Sequence, residues 1–150
     1  MPLKLRSEGL RIPVDHLAAS LVLHDGERFD AVLFVPPAET VAQVIAHPQP
    51  FVPVIRDGRI RLIARNALAC VAVSAPGVIP LTPVTRIAKQ RASVQLRSGI
   101  VICGELRWTP TVSHRRTADY LNRDELHFEL HDADLTHYIV KAHVATVEEI

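Results

Sequence analysis

An internal repeat is the feature that most constrains how this chain can fold. Residues 16–37 align without gaps on residues 89–110, at an offset of 73. The identities that carry this alignment are Ala19, Ser20, Leu23, Gly26, Leu33 and Pro37, which recur as Ala92, Ser93, Leu96, Gly99, Leu106 and Pro110. Residues 62–71 align on 138–147 at an offset of 76, so the second copy has extra residues, most simply at 111–116. Agreement in both turn glycines and apolar alternation favours a duplicated unit.

The repeat predicts two units joined by a proline-rich connector. We expect a first unit at residues 1–74, including an N-terminal extension, and a second unit at residues 85–150. Residues 75–84 hold three prolines and a glycine, which cannot continue a helix or a central strand. A chain of 150 residues, of which 48% are hydrophobic, can bury a sizeable core. We therefore expect one compact, pseudo-symmetric body.

Each half has the pattern of two β-hairpins separated by a short helix. Asp25-Gly26 lies between two apolar, β-branched runs, and Ser98-Gly99 lies at the same place in the second copy. A second hairpin is predicted across 56–59 and, in the second copy, across 132–134. Residues 38–46 and 117–122 predict the helices, the latter with Thr117 as N-cap. A last short strand follows in each half.

These elements predict a mainly β protein made of two pseudo-symmetric, five-stranded small barrels. Each barrel has one short helix between its second and third strands. Five short antiparallel strands readily curl into a barrel, because closure hides edges that would otherwise invite aggregation.

Two segments of the second half resemble motifs of the Sm-like small β-barrel, which has an SH3-like architecture. Leu96 to Gly99, followed by Gly104 to Leu106, is similar to its first motif, a strand, a glycine turn and a Gly-x-Leu strand. Residues 139–147 resemble its second motif, in which a basic residue precedes the final strand. The chain also resembles uncharacterised bacterial domains of unknown function. The resemblance implies a tandem of barrels and, as the family's activity, RNA binding, although the family's RNA-binding Asp and Asn have no match here.

The charges are unevenly distributed along the chain. Residues 58–104 hold seven Lys or Arg and no Asp or Glu, whereas residues 105–150 hold five basic and nine acidic residues. Such a basic block can attract phosphates, or it can face the acidic final third of its own chain or of a neighbour. The candidate interaction surface consists of Arg59, Arg61, Arg65, Arg97, His114, Arg115, Arg116 and Lys141.

No motif of enzyme or metal chemistry is apparent. GxSxG, GxxxxGK[ST], GxGxxG and HExxH patterns do not occur. His127 and His131 share a strand face but lie about 13 Å apart along it, too far to bind one ion together. Cys70 and Cys103 form no CxxC pair and lie in apolar segments, which is typical of free thiols in a reducing compartment. We expect neither catalysis nor a cofactor nor a metal.

Protein binding is therefore the first functional hypothesis. We expect a non-enzymatic, cytoplasmic adaptor or assembly module with a protein partner, or a homo-oligomer, and no association with membranes. Nucleic-acid binding by the basic central block is the alternative, although few aromatic residues are available for stacking. Binding of a small anionic ligand between the two barrels is a second alternative.

Overall fold

The computed structural model describes residues 15–74, 86–112 and 115–150. It contains the following strands: β1 (Asp15–Leu23), β2 (Arg28–Val35), β3 (Phe51–Arg56), β4 (Arg59–Ala64), β5 (Leu68–Ser74), β6 (Ala88–Leu96), β7 (Val101–Trp108), β8 (His127–Asp132), β9 (Leu135–Val140) and β10 (Val144–Glu149). The helices are α1 (Val41–Ala46) and α2 (Thr117–Leu121), and Arg65–Ala67 and Lys141–His143 are 3-10 turns. The N-terminal extension, the connector at 75–84 and His114 lie outside the described residues.

The two halves carry the same elements in the same order. β1 and β2 correspond to β6 and β7 at an offset of 73, and β3 and β4 correspond to β8 and β9 at an offset of 76. The change of offset falls between β7 and α2, where the sequence predicts the extra residues. Hereafter β1–β5 are the first repeat and β6–β10 the second repeat.

The strands form one continuous antiparallel sheet. Its order is β10-β6-β7-β8-β9-β5-β1-β2-β3-β4, so the order within each repeat is the same and the repeats meet where β9 pairs with β5. The prediction of a mainly β fold is confirmed. The described strands do not close into a ring, however, so the prediction of two separate barrels is not confirmed. Pairing between β5 and β9 instead joins the repeats and satisfies backbone groups that two open five-stranded sheets would leave at an edge.

The predicted hairpin turns are confirmed. Gly26 and Gly99 have φ of 92° and 96°, a region that glycine enters without steric cost. In the β3–β4 turn, Asp57 and Gly58 both have positive φ, as a two-residue hairpin turn with the favoured twist requires. The positive φ angles of these turns therefore account for the residue types found there.

The helices are shorter than predicted. α1 begins at Val41 rather than at residue 38, because Thr40 is its N-cap: the Thr40 hydroxyl accepts from the Gln43 amide and the Gln43 side chain accepts from the Thr40 amide. The prediction of Thr117 as N-cap of α2 is wrong. Arg116 is the N-cap, with its amide donating to Asp119 Oδ2 at 3.1 Å, and Thr117 is a buried first residue of the helix.

Each repeat encloses its own hydrophobic core. At the β5–β9 junction, side chains of each repeat also pack into or against the core of the other repeat. The first core contains Leu21, Leu33 and Val54, with Tyr138 of the second repeat packed against it. The second core includes Cys70 of the first repeat. The repeats therefore stabilise each other across their junction.

Candidate functional site

Strand β4 lies at one end of the sheet and is the most exposed strand of the first repeat. It pairs with β3 on one side, and no other described strand pairs with it on the outer side. Ile60 and Leu62 on this strand are 69% and 64% exposed. An unpaired edge with exposed apolar side chains is a template for pairing with another chain. We call the outer side of Arg59–Ala64 the β4 edge.

Two of the predicted basic residues lie on the β4 edge. Arg59 and Arg61 are exposed and, being two residues apart on a strand, project from the same face. Next to them, Arg56 in β3 pairs with Glu27 at 3.0 Å and stacks over Phe29 at 4.0 Å from the ring centroid. Arg56 is thus held within its own repeat, whereas Arg59 and Arg61 face solvent.

Arg65 is directed into its own repeat. Its guanidinium donates to the carbonyls of Val44, Ile45 and Gln49, with the bond to Ile45 at 2.8 Å, and these carbonyls lie at the C-terminal end of α1 and just beyond it. Partial burial lowers its pKa. Because a cation favours the C-terminal end of a helix, Arg65 stabilises the connection between α1 and β3.

Lys141 has the equivalent role in the second repeat. Its Nζ donates to the carbonyl of Arg123, two residues after α2, at 2.8 Å. Burial lowers its pKa, while Glu125 and Asp124 act in the opposite direction. The repeat thus preserves a basic residue that holds the short helix onto the 3-10 turn.

Arg65 and Lys141 both line a groove between the repeats, which we call the inter-repeat groove. It has a volume of about 540 Å³, and most of its walls are apolar, including Phe51, Leu126 and Val140. Since both cations already bond to backbone carbonyls, this groove favours apolar contacts over binding of a free anion.

The other predicted residues lie on different elements. Arg97, in the β6–β7 turn, donates from Nε to the carbonyl of Ala142 at 2.9 Å. Arg115 and Arg116 are exposed just before α2, with Arg116 Nε 3.5 Å from Asp119. Among the described members of the set, the structure brings together Arg59 with Arg61 and places Arg65 and Lys141 on one groove, but it does not gather them into one surface.

The histidines of β8 and β9 lie in an alternating strand environment. Phe128 and Leu130 are buried and His127 and His131 are half-buried, as the sequence predicts for a half-exposed strand. Desolvation lowers the pKa of both histidines. Within the described ranges, no group of three or more His, Cys, Asp or Glu side chains is arranged to hold a metal ion.

The two cysteines differ in environment. Cys70 is buried in the second core, and desolvation raises the pKa of its thiol to about 12, although Arg28 acts in the opposite direction. A thiol with so high a pKa is unreactive at neutral pH. Cys103 is exposed, although the apolar segment around it suggested burial.

Sequence reasoning missed the exposed apolar pair Ile60 and Leu62 and the acidic end of β10. Strand alternation placed Ile60 and Leu62 on the face opposite the arginines, which suggests a buried face. In the structure both faces of β4 are exposed from Arg59 to Leu62. At the other end of the sheet, β10 exposes Glu148 and Glu149. The opposite charges of these segments are visible in the sequence, but their terminal positions are not.

Comparison with protein family models, curated proteins and solved structures finds no match to this chain. Among the described residues, no helix is both long and apolar enough to cross a membrane.

Proposed function

We propose that this chain is a non-enzymatic assembly module that acts through protein–protein contacts made by the open edges of its sheet. The observation that carries the proposal is the exposure of Ile60 and Leu62 on a strand that has no outer neighbour among the described strands. Edge pairing of this kind derives affinity from main-chain hydrogen bonds and specificity from alternate side chains.

We infer further that the five strands of each repeat curl around their own core as a small Sm-like or SH3-like barrel. The shared strand order and the presence of one core for each repeat support this inference. In such a module the curled sheet supports rigid edges, and the edges bind partners.

Co-purification with a blocked edge tests the proposed function. The wild-type chain and the double variant Ile60→Lys/Leu62→Lys are expressed with an affinity tag in cells of the source organism, and recovered proteins are quantified by mass spectrometry. We expect the variant to lose bound protein by about tenfold or more, because charges replace two apolar side chains that a partner on this edge would bury.

Val101→Lys is the matched control, since Val101 is an exposed apolar residue on a strand away from the β4 edge. It should leave the recovered proteins unchanged. Equal recovery with the wild-type chain and the β4 variant would contradict the proposed function.

Nucleic-acid binding is a second candidate, favoured by the exposed pair Arg59 and Arg61. Phosphate contacts would make the affinity for single-stranded RNA fall steeply with salt, and Arg59→Ala/Arg61→Ala would reduce that slope by about two. Fluorescence anisotropy of labelled RNA, titrated at several salt concentrations, measures this slope. Absence of binding at low salt excludes this candidate.

A further inference from the structure

We propose that the inter-repeat groove binds an apolar carboxylic acid, with the hydrocarbon part against the groove walls and the carboxylate at N–H donors of Arg65 and Lys141. A medium-chain fatty acid is the simplest ligand of this class. The site is separate from the one that carries the proposed function, because neither Ile60 nor Leu62 lines the groove.

The groove has the size and the walls of a small-molecule site. Its volume of about 540 Å³ lies within the roughly 300–1,000 Å³ of typical ligand pockets. Ile45 and Leu68 in its wall are buried members of the first core, so this part of the wall is fixed. Phe51 and Leu126, which also line it, are 51% and 67% exposed. Large apolar side chains left exposed around a concave surface indicate that another molecule covers them.

Equivalent positions of the two repeats line the groove, and they have diverged in one direction. The pairs, at an offset of 76, are Pro50 and Leu126, Ala64 and Val140, and Asn66 and Ala142. In each pair the residue of the second repeat is the more apolar one. The second repeat thus supplies an apolar wall that its counterpart lacks. Because both repeats contribute walls, a single repeat could not form this groove.

Arg65 and Lys141 have hydrogen-bond donors beyond those used within the repeats. The bonds of Arg65 to backbone carbonyls come from Nε and Nη1, so they do not use the N–H groups of Nη2. Lys141 has three N–H groups, and its bond to the Arg123 carbonyl uses one of them. The backbone bonds hold both cations in place, which reduces the entropy lost when a ligand binds. A carboxylate can accept charge-assisted hydrogen bonds from the remaining donors.

The charge of the groove suits one negative head group. Arg65 and Lys141 contribute two positive charges and Glu125 one negative charge, and no other charged residue among those described lines the groove. A single carboxylate neutralises the resulting net charge of +1. An inorganic anion would leave the apolar walls in contact with water, and a hydrocarbon without a head group would leave the remaining donors unused. A molecule with both parts therefore fits the groove best.

Isothermal titration calorimetry with two probes of opposite charge tests the head group. Octanoate and octylammonium have the same alkyl chain, and only octanoate has a negative head group. We expect one octanoate to bind per chain, at least about tenfold more tightly than octylammonium, because only a carboxylate can accept hydrogen bonds from the cations.

Hexanoate, octanoate and decanoate, each below its micelle concentration, test the hydrocarbon part. Each step in this series adds two CH₂ groups. Burial of a CH₂ group contributes about 0.8 kcal/mol, so each step should lower the dissociation constant about fifteenfold. The whole series is measured on the wild-type chain and does not depend on the folding of a variant.

Leu126→Glu tests the location of the site. Because Leu126 is exposed, its substitution leaves both cores intact while it places a second carboxylate in the apolar wall. The dissociation constant for octanoate should rise about tenfold or more. Leu62→Glu is the matched control, since Leu62 is exposed to a similar extent and does not line the groove. This control should bind octanoate as the wild-type chain does.

Four results would overturn the inference. They are equal affinity for octanoate and octylammonium, affinity that does not change with chain length, unchanged octanoate binding by Leu126→Glu, and no binding of octanoate or decanoate at millimolar concentration. Each of them leaves the proposed function standing, because that function depends on Ile60 and Leu62. Conversely, Leu126→Glu should recover the same proteins in co-purification as the wild-type chain.

Discussion

Ala133 in the β8–β9 turn shows how one residue departs from what its position requires. Its φ is 49°, in the left-handed region, where a β-carbon is unfavourable. The equivalent residue in the first repeat is Asp57, with φ of 53°, and aspartate tolerates this region. The second repeat thus retains the turn but not the residue type suited to it.

We expect Ala133→Gly to raise the free energy of unfolding by roughly 0.5–1 kcal/mol, because relief of the left-handed strain exceeds the entropy that glycine adds to the unfolded chain. Ala118→Gly, the same substitution at an exposed position of α2, should lower it by about 1 kcal/mol. Urea unfolding measures both. A loss of stability in Ala133→Gly comparable to that in Ala118→Gly would contradict the explanation.

At the scale of elements, the junction of β9 with β5 buries a titratable side chain. His137 lies opposite Ala72, and its Nε2 is buried without a hydrogen-bond partner in the described part of the chain. Desolvation lowers its pKa, with Arg28 and His131 acting in the same direction and Asp132 opposing them. The folded protein therefore prefers the neutral imidazole at this junction.

Stability should fall as the pH decreases from about 7 to about 5. The unfolded chain binds a proton on His137 near the ordinary pKa of about 6.5, whereas the folded chain does so only at lower pH, so protonation favours unfolding. His127 and His131 contribute in the same direction. Urea unfolding at several pH values should therefore show a smaller loss of stability in His137→Gln than in the wild-type chain. An unchanged pH dependence in this variant would contradict the assignment.

At the scale of the whole molecule, the two cores are physically linked. Val22, Ala69 and Cys70 of the first repeat belong to the second core, and Tyr138 and Val140 of the second repeat pack against the first. The two repeats should accordingly unfold as one cooperative unit.

Trp108 allows cooperative unfolding of the two repeats to be measured, because it is the only tryptophan and lies in the second core. Leu33→Ala in the first core should lower the free energy of unfolding by about 3 kcal/mol. The Trp108 fluorescence midpoint in urea should fall together with the far-ultraviolet circular dichroism midpoint. Val112→Ala, at an exposed site, is the control and should change neither by more than about 0.5 kcal/mol. A Trp108 transition that Leu33→Ala leaves unmoved would show that the repeats unfold independently.

Most of the local structure could be predicted from the sequence, and parts of the candidate site could not. Arg59 and Arg61 were predicted on one strand face, where the structure places them. Arg65 and Lys141 were predicted as surface groups, yet both donate to backbone carbonyls near the ends of the helices. Those carbonyls lie some 20 residues away from Arg65 and 18 from Lys141 along the chain, so no local pattern reveals them.

The sequence alone determined the repeat, the strands and the hairpin turns, because alternation of apolar residues and glycine at positive φ are properties of adjacent residues. Only the tertiary structure decided that β9 joins β5 and that β4 and β10 are left at the ends of the sheet. Strand order depends on contacts between distant segments, each of which has backbone groups able to pair with several neighbours. The structure thereby places the exposed arginines of β4 at one end of the sheet and the exposed glutamates of β10 at the other.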